Sequence, residues 1–512
     1  MRTLVLLASA AALVVSGNAI ASQGDGYPRH GRAVDQLVFA ADYSDVLAGR
    51  PRAVGIMRSR GQGFVPSPEL NAYVQGVLDR LVRGLPMPAS FHPQVRVLAT
   101  PEFAGECTPD GTLVITVGLL ELLENEDELA FVLGHEVSHA IYRHQVSNWE
   151  KKAQYYAVVN GAAVDVVAQS AAISIGGHAG ANIVRGLDVA RHLAKLSANV
   201  LMPQMAKDQE DAADALGFDL MVRAGYDPDA AYSVMDKLAE QEREAEEAAA
   251  AAKQAEKNAD QDQDTGHLIG SGLSVLSTVL AGGRPSNDQI ADVAIFAFDA
   301  AVDNMAEDAT SHHPSGERAD LLSEYEYANY RDIAPKPTTP LAWDPESKSP
   351  YKPHITAMLA HYTLAENASA YVADHSQGNP ASAGRDVAAS TGAPTADHAY
   401  TEFVASEYYA GAGEKPQSEA ALVKAVQSPE PSWEIYSRLI DIYIQQQAWP
   451  KADTLMAQAV TRFEDSPVLL PKRIELLRAE GNQQGAEALI PECRGVGIDE
   501  LTDECKKAAG KG

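Results

Sequence analysis

The spacing of apolar and polar residues predicts helices and short strands over the N-terminal part of the chain. From Pro68 to Leu85 apolar residues recur at helical spacing, which predicts an amphipathic helix. Residues 94–100 and 112–117 alternate as strands and suggest a small sheet. Asn125 followed by Glu128 has the arrangement of a helix N-cap, so the next helix is expected to begin there and to run past residue 140.

The middle of the chain combines helical spacing with low-complexity composition. Residues 157–198 are rich in Ala, Val, Ile and Gly but contain polar and charged residues, which favours buried helices over a membrane span. Helical spacing resumes over residues 204–224. An Ala-, Glu-, Lys- and Gln-rich stretch at 242–264 opens an insertion over 242–310 and is expected to be an exposed helix or disordered.

The C-terminal part of the chain shows linkers and an internal repeat. Pro, Ser, Gly and Ala dominate residues 334–352 and 376–396, which predicts linkers around a short helix near residues 354–372. Beyond them similar residues recur with a period of 34, which is typical of tetratricopeptide-like helix-turn-helix repeats. Residues 433–467 resemble such a repeat most, although chance agreement in an alanine-rich chain remains the alternative.

The N-terminus predicts export. A basic start, an apolar run over residues 4–15 and the small-residue triplet Ala19-Ile20-Ala21 form the pattern of a signal peptide cleaved after Ala21. The apolar run is too short to cross a bilayer, so no transmembrane segment is expected after cleavage. The predicted location is the periplasm, with the chain soluble or peripherally associated with a membrane.

Charge and cysteine content narrow the range of partners. The formal net charge of -29 would repel phosphate backbones, so nucleic acid is not an expected partner. Cys493 and Cys505 lie close together in the C-terminal tail, where they could form a disulfide or remain thiols. Cys107 is expected to be a small buried or edge residue.

The stretch Gly134-His135-Glu136-Val137-Ser138-His139 carries the candidate chemistry. Residues four apart share a helix face, so His135 and His139 can reach one metal ion while Glu136 lies beside the same space. A zinc ion held by three protein ligands keeps a fourth position for water, and a neighbouring carboxylate can take the proton of that water. Two surface histidines on an ordinary helix are the alternative interpretation.

A third ligand is available in the segment from Glu210 to Gly217. Glu210 and Asp214 lie one helical turn apart, so Glu210 could bind the metal while Asp214 accepts the spare N–H of a ligand histidine. Taken alone, the same pattern also fits a solvated acidic helix face.

These motifs resemble those of the gluzincin metallopeptidases that include the HtpX-type heat-shock proteases and the CAAX prenyl-protein proteases. The similarity is greatest to the periplasmic branch with C-terminal tetratricopeptide repeats, the BepA-like outer-membrane assembly proteases. The matching motifs, in chain order, are Gly111 with the following strand, Gly118-Leu119-Leu120, Glu128-Leu129-Ala130, the motif from His135 to His139, Arg143-His144, and Glu-x-x-Ala-Asp-x-x-Gly from Glu210 to Gly217.

The resemblance implies roles for further residues. It implies that Glu210 is the third ligand of one zinc ion per chain. It implies that the strand ending at Cys107, including Phe103, Ala104 and Gly105, is a sheet edge on which substrate peptides pair. It also implies a catalytic histidine and arginine near the end of the protease unit, which here correspond to His313 and Arg318; the adjacent His312 leaves open which histidine faces the metal.

The resulting prediction is an α+β, mostly α protein with a zincin-type protease domain followed by an all-α tetratricopeptide-like repeat domain. The expected divisions are a signal peptide (1–21), the protease (22–333), a linker with a short helix (334–396), the repeats (397–492) and a tail (493–512). The expected function is zinc-dependent hydrolysis of internal peptide bonds in unfolded or misassembled exported proteins, with polypeptide substrates and possible contact of the repeats with the outer-membrane assembly machinery. A chaperone or assembly factor with a latched or incidental protease site is the alternative.

Overall fold

A computed structural model gives the sheet, the helices around it and the C-terminal helical region. The described ranges are 26–40, 63–101, 103–107, 111–144, 207–241 with 243, 314–333, 336–341, 351–373, 380–463, 467–495 and 499–511. The predicted signal peptide, the apolar stretch 157–198 and nearly all of the insertion at 242–310 lie outside these ranges.

Three short strands form the small sheet. They are β1 (Gln94–Leu98), β2 (Gly105–Cys107) and β3 (Thr112–Thr116). β3 lies in the middle, parallel to β1 and antiparallel to β2, with Gly105 opposite Ile115. β2 therefore forms one edge of the described sheet, while β1 at the other edge is bridged by Phe64.

The helices next to the sheet follow the predicted spacing. α1 (Pro68–Val82) buries the apolar face that the periodicity indicates. α2 (Val117–Leu122) follows β3 without a break. α3 (Glu126–Tyr142) begins after Asn125, whose side-chain oxygen accepts a hydrogen bond from the N–H of Glu128 at 2.8 Å. This cap satisfies an N–H group that has no partner inside the helix, so the N-cap prediction is confirmed.

The centre of the N-terminal region is the packing of α3 against α4 (Lys207–Ala224). After α4 come α5 (229–241) and α6 (Ser315–Tyr330), and α6 packs on α4. The N-terminal segment 26–40 crosses both helices, because the N–H of Val34 donates to Asp219 of α4 at 2.8 Å and the N–H of Ala33 donates to the hydroxyl of Tyr325 of α6 at 2.7 Å.

Two helices occupy the region where composition favours linkers. α7 (Tyr351–Ala373) is longer than the predicted short helix and packs against α2, and α8 (Pro380–Ser390) packs against α7. α7 buries Ile355, Met358 and Tyr362 completely. Pro380 does not interrupt α8, since it stands at the first helical position, where its missing N–H costs nothing. This region therefore connects its neighbours through packed helices, which its Pro-, Ser-, Gly- and Ala-rich composition does not predict.

The next helices repeat at the predicted period. α9 (Ala399–Gly411) and α11 (Trp433–Gln445) begin 34 residues apart, as do α10 (Lys415–Gln427) and α12 (Trp449–Arg462). Small residues such as Ala421, Ala425 and Ala452 are buried where the helices approach each other. α13 (Leu470–Ala479) and α14 (Gln483–Ala488) continue the series of helical pairs.

A disulfide closes the tail. Cys493 of α15 (Ile490–Gly495) is bonded to Cys505 of α16 (Asp499–Ala508), and both sulfurs belong to a small buried cluster with Leu501. Of the two outcomes that the sequence left open for these cysteines, the structure has the disulfide.

The helical repeats are joined directly to the sheet. The carboxylate of Glu430, between α10 and α11, lies 2.9 Å from the guanidinium of Arg96 on β1, and its backbone oxygen accepts from the N–H of Phe64 at 3.2 Å. One continuous buried cluster runs from the sheet into the repeats. Across the described part of the chain, no helix has both the length and the hydropathy that a membrane span requires.

Candidate metal centre

Three side chains from two packed helices bring their donor atoms together. His135 and His139 lie one turn apart on α3, so their imidazoles share a face of the helix. Glu210 reaches them from the first turn of α4. His139 and Glu210 are buried, whereas His135 is partly exposed, which leaves the group open to solvent on one side.

The separations of the donor atoms fit a tetrahedral metal ion. The Nε2 atoms of His135 and His139 are 3.0 Å apart. Oε2 of Glu210 lies 3.5 Å from Nε2 of His135, and Oε1 of Glu210 lies 3.5 Å from Nε2 of His139. Ligands bound about 2.0–2.1 Å from a zinc ion at tetrahedral angles are separated by about 3.3 Å. The observed distances bracket this value, so the group can hold a metal ion with a fourth position open.

A carboxylate and a guanidinium support this group from behind. Asp214, one turn after Glu210, lies with its Oδ1 2.9 Å from Nδ1 of His135 and is completely buried. Arg318 of α6 donates to both oxygens of Asp214 at 2.8 and 2.7 Å, and it lies 3.4 Å from Glu210. Because a neutral histidine that binds a metal through Nε2 keeps its proton on Nδ1, Asp214 can accept a hydrogen bond from that N–H and fix the orientation of the ring.

Comparison with known families identifies the fold around these residues. Residues 67–326, just over half of the chain, match the model of peptidase family M48. The chain belongs to peptidase family M48. It is therefore a metallopeptidase by family, and the resemblance stated from its motifs is confirmed. The M48 region runs from the residue before α1 into α6 and contains all five side chains just described.

Curated relatives match part of this M48 region. The chain is 29% identical over 145 residues to the mitochondrial metalloendopeptidase OMA1 of Arabidopsis thaliana, covering 28% of this chain and 25% of that one. It is 29% identical over 133 residues to the beta-barrel assembly-enhancing protease of Yersinia pestis, covering 26% and 25%. It is 26% identical over 186 residues to OMA1 of Schizosaccharomyces pombe, covering 36% and 48%. The chain thus spans between a quarter and about half of the length of these relatives.

The electrostatics of the M48 site favour a cation. Burial alone would lower the pKa of His135, but the hydrogen bonds and charges of Asp214 and Glu210 raise it to about 10. Burial would raise the pKa of Glu210, yet His139, His135 and Arg318 together lower it below its ordinary value. Burial would raise the pKa of Asp214 as well, but the charges and hydrogen bonds of Arg318 and His135 together lower it. The two carboxylates therefore stay ionised beside the space between the imidazoles.

A further histidine lies against the group. The Nδ1 atoms of His144 and His139 are 2.9 Å apart, and His144 is buried. A helix that continued through residue 144 would have placed His144 on the far side from His135. The helix instead ends at Tyr142, since Arg143 adopts a left-handed conformation with φ 60°, and His144 folds back. No glycine or proline marks this end in the sequence, so only the Arg143-His144 motif pointed to the position.

The predicted edge strand lies over Glu136. β2 begins at Gly105, and a Cβ atom built there would lie 3.1 Å from Oε1 of Glu136. Ala104 precedes the strand but pairs with Thr116 through its N–H and its carbonyl, both at 3.1 Å. Phe103 packs partly buried against the core. The buried carboxylate of Glu136 therefore faces the backbone of the sheet edge beside the metal group.

Some predicted residues are placed and others are not described. The structure brings together His135, His139, Glu210, Asp214 and Arg318. His313 and His312 lie outside the described residues. Cys107 is buried in β2, in agreement with the expectation for that residue.

Proposed function

We propose that this M48 chain is a zinc-dependent endopeptidase in which His135, His139 and Glu210 bind one zinc ion and Glu136 is the general base. The observation that carries the proposal is the meeting of three side chains, in which the two Nε2 atoms are 3.0 Å apart and each lies 3.5 Å from one carboxylate oxygen of Glu210. Two imidazoles and one carboxylate with an open fourth position are the ligands of a catalytic zinc site. The raised pKa of His135 supports this, since the same field that favours a protonated imidazole favours a divalent cation.

The surrounding residues divide the work of hydrolysis. A zinc ion held by His135, His139 and Glu210 would supply a Lewis acid for the scissile carbonyl and would make an attacking water more acidic. Glu136 follows His135 directly, so its carboxylate takes the proton of that water and delivers it to the leaving amine. Arg318 acts as a positioning residue, because it holds Asp214 and thereby the ring of His135. The family resemblance supports His313 as the group that stabilises the oxyanion.

We infer that substrates bind as an extended strand on β2. Among the described strands, none pairs with the outer side of β2. A peptide added there would run past Phe103, Ala104 and Gly105, directly above Glu136. Recognition of this kind uses main-chain hydrogen bonds, which suits unfolded segments of varied sequence.

The C-terminal helices are proposed to be tetratricopeptide-like repeats that capture clients for this cleft. Their 34-residue spacing supports the assignment, and the contact of Glu430 with Arg96 fixes them relative to the sheet. The disulfide supports an exported, oxidising location such as the periplasm. The Yersinia relative is named a beta-barrel assembly-enhancing protease, which supports unfolded or misassembled outer-membrane proteins as substrates and their assembly machinery as a partner.

Metal analysis and proteolysis test the proposal together. The purified chain is expected to contain one zinc per molecule and to cleave an unfolded protein such as casein, with loss of activity in chelator and recovery on adding zinc. Glu136→Gln should keep the zinc and lose activity by about 10² to 10⁴. The exposed Glu69→Gln on α1 is the matched control and should cleave normally. Absence of zinc from the folded chain, or full activity of Glu136→Gln, would refute the proposal.

The same variant separates the enzyme from the alternative function. If the repeats act as a chaperone and proteolysis is incidental, Glu136→Gln should restore the wild-type phenotype to cells that lack the protein. If hydrolysis is the function, the variant should fail to restore it although it is produced and exported normally.

A further inference from the structure

A short turn after α3 brings a third histidine, His144, against the metal group. The N–H of Arg143 donates to the carbonyl oxygen of Ala140 at 3.1 Å and also faces that of His139, which ends the helix in a left-handed residue. The next residue, His144, is thereby buried against His139. Its ring also stacks on that of Tyr142, with centroids 5.4 Å apart and an angle of 26° between the planes. The position of the His144 ring is thus set by the turn and by a neighbouring ring.

The short contact between the rings of His139 and His144 allows only one arrangement of protons when a metal is bound. Nε2 of His139 faces Nε2 of His135 and the carboxylate of Glu210, so its lone pair is directed to the ion. A neutral histidine that binds a metal through Nε2 carries its proton on Nδ1. The Nδ1 atoms of His139 and His144 are only 2.9 Å apart, so one proton lies between them. His139 is then the donor and His144 the acceptor, with the proton of His144 on its Nε2.

We propose that His144 is a positioning residue that holds His139 in the tautomer and orientation required for binding zinc. The inference rests on the proposed zinc site and extends it. The two ligand histidines are then held by different groups, because His135 donates to the carboxylate of Asp214 and His139 to an imidazole. Asp214 is charged and paired with Arg318, whereas His144 completes the support of His139 without adding another buried negative charge to those of Asp214 and Glu210.

Zinc affinity of two variants tests the role of the acceptor. In His144→Asn the side-chain oxygen takes the place of Nδ1 and can still accept a hydrogen bond from the Nδ1–H of His139. In His144→Leu a side chain of similar bulk leaves the N–H of His139 without that acceptor. Competition with a chromophoric chelator should show zinc affinity about 10- to 100-fold weaker for His144→Leu and within about threefold of wild type for His144→Asn. The absorption spectrum of the cobalt-loaded chain should change only in His144→Leu.

A matched control is available far along the chain. His398 is also buried and its Nδ1 lies 2.6 Å from the hydroxyl of Tyr362, so His398→Leu makes the same chemical change away from the metal group. Its zinc affinity should equal that of the wild type. If wild type and His144→Leu bind zinc equally well, the positioning role is refuted while the proposed function stands. If the wild type binds no zinc, the proposed function itself fails.

The tautomers can be observed directly in the wild type, with the His144→Asn variant used only for assignment. In the zinc-loaded wild type with ¹⁵N-labelled histidine, long-range ¹H–¹⁵N spectra distinguish the two neutral tautomers of each ring. The signals lost in His144→Asn identify His144. The proton of His144 is expected on Nε2 and that of His139 on Nδ1. A proton on Nδ1 of His144 in the zinc-loaded chain would refute the proposal.

Discussion

Gly134 of α3 and Gly217 of α4 lie opposite each other where the two helices cross. A Cβ atom on Gly217 would lie 2.7 Å from the backbone nitrogen of His135, and one on Gly134 would lie 2.9 Å from the backbone oxygen of Gly217. Both distances are shorter than backbone contacts allow. The two glycines therefore permit the close approach that brings Glu210 and Asp214 of α4 within reach of the imidazoles of α3.

Substitution of Gly217 by alanine should separate the two helices. The added methyl group would meet rigid backbone atoms, so α4 must shift and carry Glu210 away from the histidines. We expect destabilisation of about 1–3 kcal/mol and at least a tenfold loss of zinc affinity.

Gly76→Ala is the control, because Gly76 is an exposed residue of α1 with open space around its Cβ position. Alanine there should stabilise the helix by about 0.5–1 kcal/mol. Calorimetry and chelator competition measure both effects; normal zinc affinity in Gly217→Ala would contradict the role of the crossing.

The planar fork of Arg318 is expected to be irreplaceable by a lysine. Arg318 donates two parallel hydrogen bonds to Asp214, which a single ammonium group cannot reproduce. Arg318→Lys should fold but lose about 10- to 100-fold in kcat/KM, with weaker zinc binding. Arg318→Met should lose about 3–5 kcal/mol of stability, since the buried charge of Asp214 would keep only its contact with His135 and lose its cationic partner.

The control for Arg318 lies at the end of the same helix. Arg331 is exposed and its guanidinium lies 4.8 Å from the ring centroid of Tyr327. Arg331→Lys should match the wild type in kcat/KM and in thermal stability. Equal activity of Arg318→Lys and Arg331→Lys would show that Asp214 holds His135 without help from the guanidinium.

Local patterns in the sequence predicted the elements that carry the site. Asn125 and Glu128 specified the start of α3, and the spacing of His135 and His139 specified a shared face. The position of Glu210 required the family resemblance, because an acidic pair one turn apart is equally typical of a solvated surface. Glu210 is buried because α3 packs against α4, and the residues around Glu210 in the sequence do not show this contact.

The remaining features depend on contacts that no local pattern shows. Arg143 adopts the left-handed conformation that brings His144 against His139, and the sequence has no glycine at this position that would predict it. α8 has the composition of a linker, and its helical state comes from packing against α7. The crossing of Gly134 and Gly217 joins residues 83 positions apart, and its importance appears only when a Cβ atom is placed there.

Reduction of the disulfide should loosen the tail alone. α15 and α16 have 6 and 10 residues, which is too short for stable helices without tertiary support. The bond between Cys493 and Cys505 closes a small loop and is expected to contribute about 3 kcal/mol to the order of this cluster. Limited proteolysis with mass spectrometry should show early cleavage of the tail in reductant and in Cys493→Ala/Cys505→Ala, with zinc content unchanged. Adding reductant to the double variant should have no further effect; equal resistance of the variant and the wild type would contradict the prediction.

Asp219 should make the stability of the metal-free chain depend on pH. Its buried carboxylate accepts hydrogen bonds from Tyr325 at 2.9 Å, from Tyr330 at 2.6 Å and from the N–H of Val34 at 2.8 Å. Burial nevertheless dominates and raises the pKa of Asp219 to about 6. Between this value and the ordinary value near 4, the folded state holds a proton that the unfolded state has lost. The folded state therefore gains stability as pH falls through 6.

A neutral replacement isolates this contribution from the many other carboxylates. The free energy of unfolding of the wild type minus that of Asp219→Asn should rise by roughly 2 kcal/mol between pH 7.5 and pH 4.5, because only the wild type takes up the extra proton. Urea denaturation in chelator at several pH values measures it, and Asp79→Asn, at an exposed position on α1, shows the change caused by removing a surface carboxylate. A difference that is flat with pH, or that falls as the solution becomes more acidic, would mean that the three hydrogen bonds outweigh burial. In that case Asp219 would be an ionised anchor for the N-terminal segment, and the Asn variant would be least stable relative to the wild type near neutral pH.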